Sequence, residues 1–81
     1  MVTRAKSVAE IVRYRNGGLK MKGSRASGEM HGAWTWYRTD GSVMRTGRFD
    51  RGAQIGVWRT FDRSGRLVKE TRFARVSRGN G

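Results

Sequence analysis

The chain has 81 residues, a mass of 9.2 kDa, no cysteine and no proline. That leaves room for one domain with a small core, and excludes a disulfide framework, a thiolate nucleophile and a cysteine-based zinc site. A net charge of +12 and a pI near 11.8 favour acidic partners, and no apolar run approaches the roughly 18–20 residues of a membrane-spanning helix.

In chain order, residues 1–8 read as a flexible leader. Arg4 and Lys6 are not followed by an apolar stretch, so this is not a secretory signal. Together with the absence of cysteine, this sets the expected location as cytoplasmic. Residues 9–74 form the expected domain, and 75–81 a flexible basic tail.

Within 9–74 a period of 24 residues dominates. Gly17, Gly41 and Gly65 fall on it, as do Leu19, Val43 and Leu67. Gly28, Gly32 and Trp34 return as Gly52, Gly56 and Trp58, and Tyr37 returns as Phe61. Seven of 27 aligned positions are identical between 23–49 and 47–73, and five more are conservative. A period of this length marks a supersecondary unit that buries its apolar surface against copies of itself, an architecture suited to binding surfaces.

Six strands are expected in three hairpins, at 9–15, 19–25, 33–38, 42–49, 57–62 and 66–73. Asn16-Gly17, Asp40-Gly41 and Ser64-Gly65 mark the turns, and Val, Ile, Thr and aromatic residues flank them. The segments 28–32 and 52–56 then read as connectors between hairpins. A two-residue Asp40-Gly41 loop sets Thr39 opposite Ser42, which places Trp36 opposite Arg45, Trp34 opposite Gly47 and Tyr37 opposite Met44. The same rule one repeat later pairs Trp58 with Thr71 and Phe61 with Val68. Alternation assigns Trp34, Trp36, Val43, Phe49, Trp58, Leu67 and Phe73 to one face, and Ala33, Tyr37, Met44, Val57, Phe61 and Val68 to the other. Arginines interrupt both faces. The expectation is an all-β antiparallel meander of about three hairpins, a ribbon whose aromatics pack between repeats rather than a two-layer sandwich.

Gly32-Ala33-Trp34-Thr35-Trp36-Tyr37 and Gly56-Val57-Trp58-Arg59-Thr60-Phe61, each followed by a glycine turn and a returning strand that ends Arg48-Phe49 or Arg72-Phe73, resemble MORN-type repeats. The closer likeness is to the bacterial variant known as a toxin–antitoxin system antitoxin. About two and a half repeats are present. The resemblance implies a non-catalytic interaction module. Gly32, Trp34, Tyr37, Gly41, Gly56, Trp58, Phe61 and Gly65 then hold the repeat together.

Other chemistry has little support. His31 is the only histidine and occupies the repeat position of Ile55, a variable connector site, which points to a surface or packing role. One histidine without cysteine makes no ordinary zinc site, and no metal or other cofactor is expected. The six acids do not recur with the repeat and read as local partners of arginines. The glycines lack the Gly-Lys-Ser/Thr ending and the helix of a phosphate loop. No enzyme activity or small-molecule substrate is expected. Trp36, which does not recur, is the candidate ligand-facing aromatic, with Arg38, Arg45, Arg48, Arg59 and Arg72 as candidate partner-binding cations. The leading expectation is an acidic protein partner in an antitoxin-like or scaffold role, with a homodimer through open edge strands also considered. The alternative is a polyanion, nucleic acid or anionic membrane, with aromatics stacking on bases and arginines on phosphates.

Overall fold

A computed structural model describes residues 7–73. Six strands, β1 (Ser7–Arg13), β2 (Leu19–Ala26), β3 (Glu29–Tyr37), β4 (Val43–Asp50), β5 (Ala53–Phe61) and β6 (Leu67–Phe73), form one antiparallel sheet in the order β1-β2-β3-β4-β5-β6. The domain is the expected all-β meander, a single layer with principal extents of 45 × 26 × 13 Å. Among the described residues no helix is long and apolar enough to cross a membrane. β1 begins at Ser7, inside the segment read as leader, because Ser7 and Val8 pair with Ala26 and Arg25 along the full length of β2. The rest of that leader and the tail at 75–81 lie outside the described residues.

The two turn classes are the reverse of the sequence expectation. At Asp40-Gly41 the Gly41 N–H donates to the Arg38 carbonyl and the Arg38 N–H to the Ser42 carbonyl, so Thr39, Asp40 and Gly41 form a three-residue loop. Only Gly41 of these has a positive φ, at 92°, whereas a two-residue turn of matching twist requires it at Asp40 as well. The chain therefore makes a type I turn closed by a left-handed glycine, and the register slips by one residue. Tyr37 faces Val43 rather than Met44, and Phe61 faces Leu67 rather than Val68. Beyond the slip the expected pairs hold: Trp36 with Arg45, Trp34 with Gly47, and Trp58 with Thr71.

The tight two-residue turns occur instead at Ser27-Gly28 and Arg51-Gly52, where both residues have positive φ (52° and 82°, 46° and 88°). These segments are hairpins themselves, so β2 pairs directly with β3 and β4 with β5. The expected linkers between three separate hairpins are absent, and the ladder runs unbroken from β1 to β6.

Gly32 and Gly56 consequently lie inside strands. Lys22 faces Thr35 and Ser24 faces His31, so Gly32-Ala33-Trp34 stand opposite the single residue Gly23. One repeat later, Gly56-Val57-Trp58 stand opposite Gly47. Each is a β-bulge, and the positive φ of Gly32 (82°) and Gly56 (72°) permits the sharp bend. The bulge lays an indole on the strand behind it. A Cβ placed on Gly23 would lie 2.1 Å from the Trp34 ring, and one on Gly47 would lie 2.2 Å from the Trp58 ring. Trp34 therefore faces Gly47 in the ladder, but its ring covers Gly23. Each bulge tryptophan locks its repeat onto the one before.

These two indoles are the centre of a thin core. Trp34 is 1% exposed and Trp58 5%, with Ala26 and Ile55 as the other buried apolar residues. Ile55, read as part of a variable connector, is thus core. Phe49 meets the edges of Trp34 (6.4 Å) and Trp58 (5.1 Å), and Phe73 meets Trp58 (6.1 Å). Edge-to-face pairs at such distances contribute about 0.5–1.5 kcal/mol each beyond the area they bury.

Polar atoms tie the repeats through the same positions. The Tyr14 hydroxyl donates to the Tyr37 carbonyl at 2.8 Å, and Arg38, one repeat later, donates from Nη2 to the Phe61 carbonyl. At the bulges, the Ser24 hydroxyl donates to the His31 carbonyl at 2.9 Å, leaving Trp34 Nε1–H to donate to the Ser24 carbonyl. In the next copy Arg48 replaces Ser24, and Trp58 Nε1–H itself donates to the Ile55 carbonyl at 3.2 Å. The equivalent His31 and Ile55 carbonyls are thus met by different donors.

Candidate interaction surface

The ladder separates the candidate residues by face. One face carries the cross-strand row Met21, Trp36, Arg45, Thr60 and Lys69, beside the bulge tryptophans. The other carries Lys22, Thr35, Thr46, Arg59 and Glu70, followed by Arg48 and Arg72. Of the six candidate partner-binding residues, the structure brings Trp36 and Arg45 together on the aromatic face, with the Arg45 guanidinium 5.8 Å from the Trp36 ring centroid, and gathers Arg59 and Arg72 around Glu70 on the other.

The rest are distributed elsewhere. Arg48, Arg59 and Arg72 are exposed on the opposite face. Arg59 is paired with Glu70 at 2.9 Å, and Arg72 approaches the same carboxylate at 3.8 Å. Arg38 is held at its turn by the Ser42 hydroxyl, the Val43 carbonyl and the Phe61 carbonyl, so its guanidinium is spent on joining repeats. Trp36 is half-buried, 6.2 Å from Trp34 and 5.4 Å from Trp58. It belongs to a continuous aromatic stripe rather than standing free.

The sequence reading missed a cleft on the aromatic face. An open hollow of about 210 Å³ lies against Trp58 and Phe73, with Thr60 and Thr71 along its base. Arg45, Lys69 and Gln54 rim it. It is smaller than a typical small-molecule site and is sized for a single side chain. The signal was present in the repeat frame, because Thr60 stands where the preceding repeat has Trp36.

The electrostatics of this rim are unbalanced. Among the described residues no carboxylate lies within ion-pairing distance of Arg45 or Lys69, whereas Arg25, Arg51, Arg59, Arg63 and Arg72 each approach one. Asp40 and Asp62 serve turns. Asp40 accepts from the Ser42 N–H and hydroxyl, which hold its carboxyl below the ordinary aspartate range, helped by Arg63 and Arg38. Asp62 is lowered similarly, first by the Ser64 hydroxyl and then by the Arg66 N–H. His31 Nδ1 accepts the Arg51 N–H at 3.1 Å, tying that turn to β3. Among the described residues no three of His, Asp or Glu converge on a common point. No family model, curated protein or solved structure matches the chain.

Proposed function

We propose that this chain is a MORN-like, non-enzymatic repeat module that binds an acidic protein through its aromatic face, in a cytoplasmic scaffold or antitoxin-like role. The observation carrying the reading is the hollow beside Trp58, rimmed by Arg45 and Lys69, neither of which has a carboxylate within ion-pairing distance among the described residues. Cations presented around a depression walled by Trp58 and Phe73 attract carboxylates and orient what enters. The burial of Trp34 and Trp58 weighs against base stacking, since neither offers an open ring face. The test is a pull-down from the native host with the full chain, with and without nuclease. A protein partner survives nuclease and is lost when Arg45 and Lys69 are both reversed to Glu. Loss of the partner on nuclease treatment, or its indifference to the reversal, contradicts the reading.

A second reading, polyanion binding, is favoured by the opposite face. Lys22 and Arg48 are exposed there, beside the Thr35 and Thr46 row. Phosphate binding by this face predicts affinity that falls steeply between low and moderate salt, as counterions are released. It also predicts sensitivity to Lys22 and Arg48 and none to Lys69. Self-association through the edges is a third form of partner, since β1 and β6 expose Val8, Ile11, Leu67 and Val68. Sedimentation across a concentration series distinguishes it.

A further inference from the structure

The hollow on the aromatic face is a copy of an occupied site. In the middle repeat the Trp36 indole lies between Trp34 at 6.2 Å and Phe49 at 6.3 Å, with Arg45 at 5.8 Å over its ring. Moving 24 residues along the chain converts those three neighbours into Trp58, Phe73 and Lys69, and all three line the hollow. The wall geometry is retained as well. Trp34 and Phe49 meet edge-on at 6.4 Å and 88°, and Trp58 and Phe73 at 6.1 Å and 77°. What differs is the occupant, Thr60 for Trp36, and the far side: Trp58 of the next repeat packs on Trp36 at 5.4 Å and over Gly47, whereas Thr71 replaces Gly47 and no ring of a further repeat covers it among the described residues. Trp36 and Phe49 pack on Trp58 from the preceding repeat, and what the hollow leaves bare is its edge toward Phe73: Trp58 is 5% exposed against 1% for Trp34.

We infer that this nest receives an aromatic side chain, Trp in the best case, from an acidic segment of a partner protein. Its ring takes the place the repeat assigns to Trp36, and its flanking carboxylates engage Arg45 and Lys69. Residues 1–6 and 74–81 contain no aromatic side chain that could fill it. The acidic flank follows from the two rim cations, which have no carboxylate partner among the described residues. A planar ring beside a cation also gains from the attraction between the charge and its π face. This inference rests on the acidic-partner reading and specifies what the partner presents.

The probe is acetyl-Asp-Trp-Asp-amide, titrated into the full isotope-labelled chain and followed by NMR. Saturable shifts are expected at Thr60, Lys69, Thr71 and the Trp58 indole N–H, with at least tenfold weaker binding of acetyl-Asp-Ala-Asp-amide. Thr60→Trp restores the repeat's own occupant. That variant is expected to melt several degrees higher than the parent and to lose the response. Lys69→Glu, on an exposed position, is expected to weaken the Trp peptide at least fivefold without unfolding the chain. Equal binding of the Trp and Ala peptides, with dependence on Lys69 retained, overturns the nest while the acidic-partner reading stands. Absence of shifts at the nest with any peptide overturns the nest. Binding that ignores Lys69→Glu contradicts both. A Thr60→Trp chain that melts lower and still responds overturns the equivalence on which the nest depends.

Discussion

The β3–β4 and β5–β6 hairpins are built from one motif, and they differ on the aromatic face. Both enter through a glycine-hinged bulge, lay an indole on the glycine of the preceding strand, and close with an edge-on phenylalanine. The first hairpin then fills its remaining space with Trp36, whereas the second leaves it open at Thr60. The first also passes a guanidinium forward, from Arg38 to the Phe61 carbonyl. At the same position the second has Asp62, whose carboxylate folds back on its own turn. β6 carries Thr71 where β2 and β4 carry Gly23 and Gly47, so a further bulge tryptophan could not lie flat on it. The middle repeat packs on neighbours on both sides, whereas the last lacks the bare glycine that a further copy would cover.

Substitutions sharpen that comparison, beginning with what the two hairpins share. Trp34→Ala and Trp58→Ala should each cost about 3–5 kcal/mol, enough to unfold so small a domain. Circular dichroism melts will show this, and a silent result at either position breaks the equivalence. Gly23→Ala and Gly47→Ala should each cost about 1–3 kcal/mol, because the new methyl group collides with an indole that cannot move without opening the bulge. Thr71→Gly, at the same repeat position but under no indole, should cost about 1 kcal/mol or less in the same melts.

Smaller effects separate the hairpins. Arg38→Ala removes a charged donor that bridges two repeats and should cost about 1–2 kcal/mol, and Tyr14→Phe about 1 kcal/mol. Chemical denaturation resolves both. The smallest effect is with acid. Asp40 and Asp62 titrate lower in the folded chain than in the unfolded one, so their stabilisation is complete above the ordinary aspartate value of about 3.9 and is lost as pH falls below it. The melting temperature should therefore fall as pH drops from 5 toward 2. Asp40→Asn with Asp62→Asn should flatten that slope.

Much of this architecture was legible in the sequence, and the failures have a common cause. The 24-residue period, the strand content and the Trp34–Gly47, Trp36–Arg45 and Trp58–Thr71 pairs follow from alternation counted out from a glycine turn. The turn types do not, because Asp-Gly serves equally in a two-residue loop and in a type I turn closed by glycine. Only the φ of Asp40 decides between them. Gly32 and Gly56 were misread for the same reason. Glycine marks both connectors and bulges, and which one forms depends on whether the next tryptophan finds a bare strand to cover. Ile55 owes its burial to that bend, which a one-dimensional pattern does not contain. The hollow at Thr60 is legible only by asking what a repeat leaves out.

The central claim is that successive repeats are locked by an indole lying flat on a glycine of the preceding strand. Proton chemical shifts of the α-hydrogens of the 12 glycines test it most directly, because a ring face above a Cα moves those resonances strongly upfield. Gly23 and Gly47 should stand alone, well upfield of the other ten, and each should return to the ordinary range when Trp34 or Trp58, respectively, is replaced by Leu. Resonances of Gly23 and Gly47 that fall among those of the turn glycines would contradict the account.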